Sequence, residues 1–100
     1  MTLGMAIQSF ADEVTEEFFI TGKVKPRAGW AGIAKVAIRK LDMLDYAAKL
    51  SDLREPPANR LEALKGKLAG HYSIRINDQW RIVFGWTDAG PIDVEIIDYH

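Results

Sequence analysis

The sequence predicts an α+β fold: a short strand, two helices, then a mostly antiparallel sheet of three to four strands. Three observations carry this expectation. Apolar and polar residues alternate through successive stretches between Arg60 and Trp86. Apolar residues recur at helical spacing between Gly29 and Ala48. Turn residues punctuate the joints, at Gly22, Pro56-Pro57, Gly66, Gly70 and Asp88-Ala89-Gly90-Pro91.

In chain order, Ala6–Phe10 is a short strand candidate. Asp12 reads as a helix N-cap, followed by acids in the first turn, where the helix dipole favours them. Val14 and Phe18, at i and i+4, give this helix its buried stripe, and Gly22 ends it. Lys23–Arg27 is a basic connector. The second helix runs from about Gly29 to Ala48. Trp30, Ile33, Ala34, Ala37, Leu41, Leu44 and Ala48 line its core face, and Lys35, Arg39 and Asp42 face outward. Leu50–Ala58 is a loop, with one turn at Ser51-Asp52-Leu53 and prolines that exclude helix and central strand. Strands follow at Arg60–Leu64, His71–Asn77 and Trp80–Trp86, and Ile92–Tyr99 is the last.

The register of the central hairpin follows from its faces. Tyr72, Ile74 and Ile76 share one face of their strand; Trp80, Ile82, Phe84 and Trp86 share one face of the next. A three-residue loop, Asn77-Asp78-Gln79, pairs Ile76 with Trp80, Ile74 with Ile82 and Tyr72 with Phe84, keeping apolar faces together. The same register sets Arg75 opposite Arg81 on the other face, which the helices are expected to leave open. Like charges opposed across strands repel. Either an anion such as phosphate lies between them, or the arginines turn to water or pair with Glu95 or Asp93.

The chain has 100 residues, the size of a single domain, and 48% hydrophobic content, which suits a folded core. No apolar run reaches membrane-spanning length. The opening MTLGMAIQSF has neither a basic start nor a long apolar core, so no signal peptide is expected and the cytoplasm is the default compartment. Without cysteine there is no disulfide or thiolate metal site, and the two histidines lack helical i,i+4 spacing, so no metal and no cofactor is expected. The net charge of −1 hides an asymmetry: residues 1–22 and 82–100 each hold four acids and no Lys or Arg, while all 13 Lys and Arg lie between residues 23 and 81. Such a basic middle suits a phosphate-binding face, or neutralisation by the acidic ends within the fold.

No triad, P-loop or dinucleotide fingerprint is present. A metal-free reaction open to these residues is RNA cleavage by its own 2′-hydroxyl, which needs a base, cations at the phosphate and an acid for the leaving oxygen. Lys65, Arg75 and Arg81 are candidate cations, and Glu62, Asp98, Tyr99 and His100 are candidates for proton transfer. On residue type alone this is one possibility among several, since chain ends usually fray and a strand-opening His71 is usually idle.

Several blocks resemble HigB-type toxins of bacterial toxin–antitoxin systems, within the RelE-like superfamily. They are Ile7–Phe10, Thr21–Lys23, Arg39–Asp45, Asn59–Gly66, Tyr72–Ile82 and the terminal Asp98-Tyr99-His100. The resemblance covers nearly everything after residue 5. It implies a single RelE-like toxin domain over residues 1–100. It implies a metal-independent endoribonuclease that cuts mRNA in the ribosomal A site, and a helix-turn-helix HigA antitoxin that neutralises it. Operator DNA would be bound only through the antitoxin complex. By the resemblance, Asp98, Tyr99 and His100 form the active-site tail, Lys65 and Arg81 contact phosphate, and Gln79 reaches the message from the hairpin tip. Arg75, His71 and Asn77 complete the expected RNA-binding set. Some relatives carry histidine where this chain has Glu62, so either Glu62 takes a different role or His71 substitutes. A non-catalytic RNA- or ribosome-binding growth inhibitor is the alternative reading.

Overall fold

The computed structural model describes residues 6–99. Its helices are α1 (Glu13–Thr21) and α2 (Ala34–Tyr46), and its strands are β1 (Glu62–Ala63), β2 (His71–Arg75), β3 (Trp80–Thr87) and β4 (Gly90–Asp98). The strands form one antiparallel sheet in the order β1-β2-β3-β4. The α+β expectation therefore holds.

The hairpin register is the one that apolar alternation demands. Tyr72 pairs with Phe84, Ile74 with Ile82 and Arg75 with Arg81, while the Ile76 N–H donates to the Trp80 carbonyl at 2.9 Å. Ile74, Ile82, Phe84 and Val94 are buried against Leu41 and Leu44 of α2 and Phe18 of α1. Phe18 meets Trp30 edge-on at 4.8 Å. The Thr15 hydroxyl of α1 accepts the Ile96 N–H at 3.2 Å, pinning the helix to β4.

Several details differ from the sequence expectation. The segment expected as a strand at Ala6–Phe10 makes a single parallel bridge, Phe10 to Val94, because it lies along β4 only through Gln8, Ser9 and Ala11. Asp12 is the residue before α1, but its side chain makes no capping bond. The second helix starts late: Gly29 has φ +83 outside it, and a 3-10 turn, Ala31–Ile33, leads into α2. It also ends early. Ala47 is extended, and the Asp52 carboxylate accepts the Ala48 and Lys49 N–H groups at 3.0 and 3.2 Å, so Ala47 rather than Ala48 is buried. The first sheet strand shrinks to Glu62–Ala63 because Arg60, at φ +47, closes a 3-10 turn at Pro57–Asn59. A bulge on β4 falls where pairing steps from Val83–Glu95 to Gly85–Ile92, with Asp93 at φ +52.

The face opposite the helices is not open. Ser73, Arg81 and Val83 lie on it and are buried, Arg81 with only 7% of its surface exposed. The edge segment Arg60–Glu62 and Tyr99 supply the covering contacts around Arg81.

Candidate functional site

The site is built at the meeting of β1, the hairpin tip and the end of β4. The tip closes itself first. The Asn77 side-chain oxygen Oδ1 accepts the Gln79 and Trp80 N–H groups, each at 2.8 Å, an Asx-type turn that reverses the chain. Gln79 then clips the tail to the tip twice. Its backbone carbonyl accepts the Tyr99 N–H at 2.7 Å, and its side-chain amide donates to Asp98 at 3.0 Å.

The clipped tail lays the Tyr99 ring over Arg81, 5.1 Å from guanidinium carbon to ring centroid. Arg81 is held on three other sides. Its Nε donates to the Ser73 hydroxyl at 2.7 Å, its Nη2 donates to the Arg60 carbonyl at 2.7 Å, and Nη2 lies 3.4 Å from the Glu62 carboxylate. Burial pushes the Arg81 pKa down, and Glu62 and Tyr99 push it back up. Among the described residues Nη1 has no hydrogen-bond partner.

Glu62 and Tyr99 also line a cleft of about 400 Å³ together with Ala63, Leu64, Lys65 and Leu68. The turn after β1 puts Lys65 there: Gly66 and Gly70, at φ +66 and +91, bracket a 3-10 turn at Gly66–Leu68. The result is a cleft that brings together an exposed ammonium, a carboxylate and a phenol, with the clamped guanidinium of Arg81 beside the last two. Such groups can bind a phosphodiester and exchange protons with it.

Of the residues expected to act together, the structure joins Glu62, Lys65, Arg81, Tyr99, Asp98 and Gln79 in this region. His100 lies outside the described residues. The two opposed arginines diverge: Arg75 pairs with Asp78 inside the hairpin loop, while Arg81 turns to Glu62. Neither pairs with Asp93 or Glu95. Asp93 is at hydrogen-bond range of the Ser9 hydroxyl, and Glu95 faces Asp12. Asn77 is occupied in the turn. His71 opens β2 opposite Gly85, off the cleft lining, with Nδ1 buried and without a hydrogen-bond partner among the described residues.

Sequence reasoning missed Ser73 and the Arg60 carbonyl. Alternation did place Ser73 on the arginine face, but only the register shows that it lies within reach of Arg81. It also missed Lys40 and Asn59, which are buried and bonded to each other at 2.5 Å. The signal for Lys40 was its spacing: Ala37, Lys40, Leu41 and Leu44 follow i, i+3, i+4, i+7.

The fold is one shared with toxins of solved structure. Over 96% of its length the chain resembles one chain of a YoeB-YefM complex from Staphylococcus aureus, covering 97% of that chain with a TM-score of 0.60 and 23% identity. It resembles the YoeB/ParE toxin from Agrobacterium tumefaciens over 96% of its length and 100% of that chain, with a TM-score of 0.55 and 19% identity. Within that class, residues 8–100 match the family described as the RelE-like toxin of type II toxin–antitoxin system HigB. The chain is 44% identical to Toxin HigB-1 of Vibrio cholerae serotype O1 over 85 residues, 85% of this chain and 87% of that protein. An uncharacterised Haemophilus influenzae protein is 38% identical over 81 residues, 81% of this chain and 79% of its own length. The chain therefore belongs to the HigB-like family of RelE-like toxins.

Proposed function

We propose that this toxin is a metal-independent mRNA endoribonuclease that acts on the ribosome in the cytoplasm, and that a HigA-type helix-turn-helix antitoxin neutralises it. The observation that carries this reading is Arg81, a guanidinium fixed beside Glu62 and Tyr99 at the cleft that holds Lys65. A fixed cation at a cleft with proton-transfer groups suits charge that develops on a phosphate.

The 2′-hydroxyl oxygen attacks the adjacent phosphorus. Glu62 accepts its proton, while Arg81 Nη1 and the Lys65 ammonium meet the charge on the phosphoryl oxygens. His100 gives a proton to the departing 5′-oxygen, and Asp98 and Tyr99 set the tail from which it acts. The products are a 2′,3′-cyclic phosphate and a 5′-hydroxyl. No helix among the described residues is long and apolar enough to cross a membrane, and the basic middle of the chain suits an RNA surface.

The test is mRNA cleavage in a purified translation system, with and without ribosomes, for wild type and His100→Ala. Cuts that require both ribosomes and His100 are expected. A second reading, occupancy of RNA or the ribosome without cleavage, is favoured by the Glu62–Arg81 pair, which partly neutralises the buried cation. Stalled translation without cuts by wild type would select it.

A further inference from the structure

The contacts that hold Arg81 continue behind the cleft, into the helical layer. Its Nη2 partner is the carbonyl of Arg60, and Arg60 takes φ +47, a conformation side-chain-bearing residues adopt only where neighbours impose it. The residue before it is Asn59, with no exposed surface. The Asn59 side-chain amide donates to the Leu53 and Glu55 carbonyls at 3.1 and 3.2 Å, and its own N–H donates to the Pro56 carbonyl at 2.9 Å. Its side-chain oxygen accepts the Lys40 ammonium at 2.5 Å. Lys40 is 9% exposed, on the core face of α2. Burial lowers its pKa, and the nearby cations Arg39 and Arg75 lower it further. A buried lysine whose hydrogen-bond partner is a neutral amide is a poor way to stabilise a core, since apolar residues of like volume do as well or better. Its geometry does something else: it anchors the segment that ends in the Arg60 carbonyl.

We propose that Lys40 and Asn59 are positioning residues for Arg81, setting the Arg60 carbonyl that holds Nη2 so that Nη1 faces the ligand. The inference deepens the nuclease reading and rests on it for its consequence in catalysis; the geometry of the clamp stands apart from that reading. Neither residue lines the cleft, and both are buried.

The test uses Lys40→Met, which removes the buried ammonium but keeps an apolar chain of similar length. It also uses Asn59→Asp, which keeps an acceptor for Lys40 but removes the donors to Leu53 and Glu55. Lys35→Met, at an exposed position on the same helix, is the control. Two quantities are read on folded protein: hydrogen exchange of the Arg81 Nε–H by NMR, and kcat and KM for RNA cleavage. A guanidinium freed of its clamp should exchange about 10-fold faster, and kcat should fall about 10- to 100-fold with KM little changed, the scale of a small misplacement of a reacting group. Lys35→Met should match wild type in both. Wild-type exchange in folded Lys40→Met and Asn59→Asp overturns the proposal. If wild type cleaves no RNA while both variants lose exchange protection, the clamp stands and the nuclease reading falls.

Discussion

Arg81 donates its Nε–H to the hydroxyl of Ser73, 2.7 Å away on the neighbouring strand, and both residues are buried. Ser73 lies opposite Val83 in the ladder, so Arg81 reaches it diagonally, away from its direct partner Arg75. That diagonal turn separates two like charges the register would otherwise oppose. It also carries the guanidinium toward Glu62 and the cleft.

Replacing Ser73 with alanine leaves a buried guanidinium N–H without its acceptor. Stability should fall by about 1–3 kcal/mol, the cost of a buried donor left unpaired. Urea denaturation of Ser73→Ala against wild type measures it, and the Arg81 Nε–H should lose protection from exchange in parallel.

Glu62 has two effects that one substitution separates. Its carboxylate competes with phosphate for Arg81, and it is the proposed acceptor of the 2′-hydroxyl proton. Glu62→Gln should bind single-stranded RNA more tightly, with a steeper salt dependence of affinity as one more phosphate is neutralised. Cleavage should slow by about 100-fold or more, the usual contribution of a positioned base. Binding titrations over a salt series, beside single-turnover cleavage, separate the two.

Glu95 gives a pH dependence with a defined sign. Burial raises its pKa above the usual carboxylate value, and the neighbouring Asp12 raises it further. The folded state therefore holds this proton more tightly than the unfolded chain. The cost of ionising Glu95 is absent below the unfolded value of 4.5 and fully present above the raised folded value. Glu95→Gln should raise the melting temperature at pH 7, and the gain should shrink as pH falls toward 4. Calorimetry of both proteins across that range measures the difference.

Gly85 is small because the bulge brings Ile92 onto it. A Cβ there would sit 2.9 Å from the Ile92 Cγ1. Gly85→Ala should cost about 1–3 kcal/mol, the scale of an overpacked core. Combining it with Ile92→Ala should recover part of the loss, because the conflicting atom is then gone. Denaturation midpoints of the three variants show whether the two positions are coupled.

Much of this molecule was legible in its residues, and the reasons are local. The apolar alternation of Tyr72–Ile76 and Trp80–Trp86 admits one hairpin register, since a slip of one residue exposes every apolar side chain. The helical stripe around Ala37, Leu41 and Leu44, and the glycines at 22, 66 and 70, fixed the other elements to within a few residues. The motif blocks around Lys65, Arg81 and Asp98-Tyr99 pointed to the region of the cleft. What only the tertiary structure decided is which partner each polar group takes. Arg75 turning to Asp78, Arg81 turning to Ser73, Arg60 and Glu62, and Lys40 buried against Asn59 are choices between acceptors far apart in sequence. Periodicity assigns a side chain to a face. A hydrogen bond needs its donor and acceptor within about 3 Å and well aligned, and that is set only when the edge segment, the hairpin and the tail are packed together.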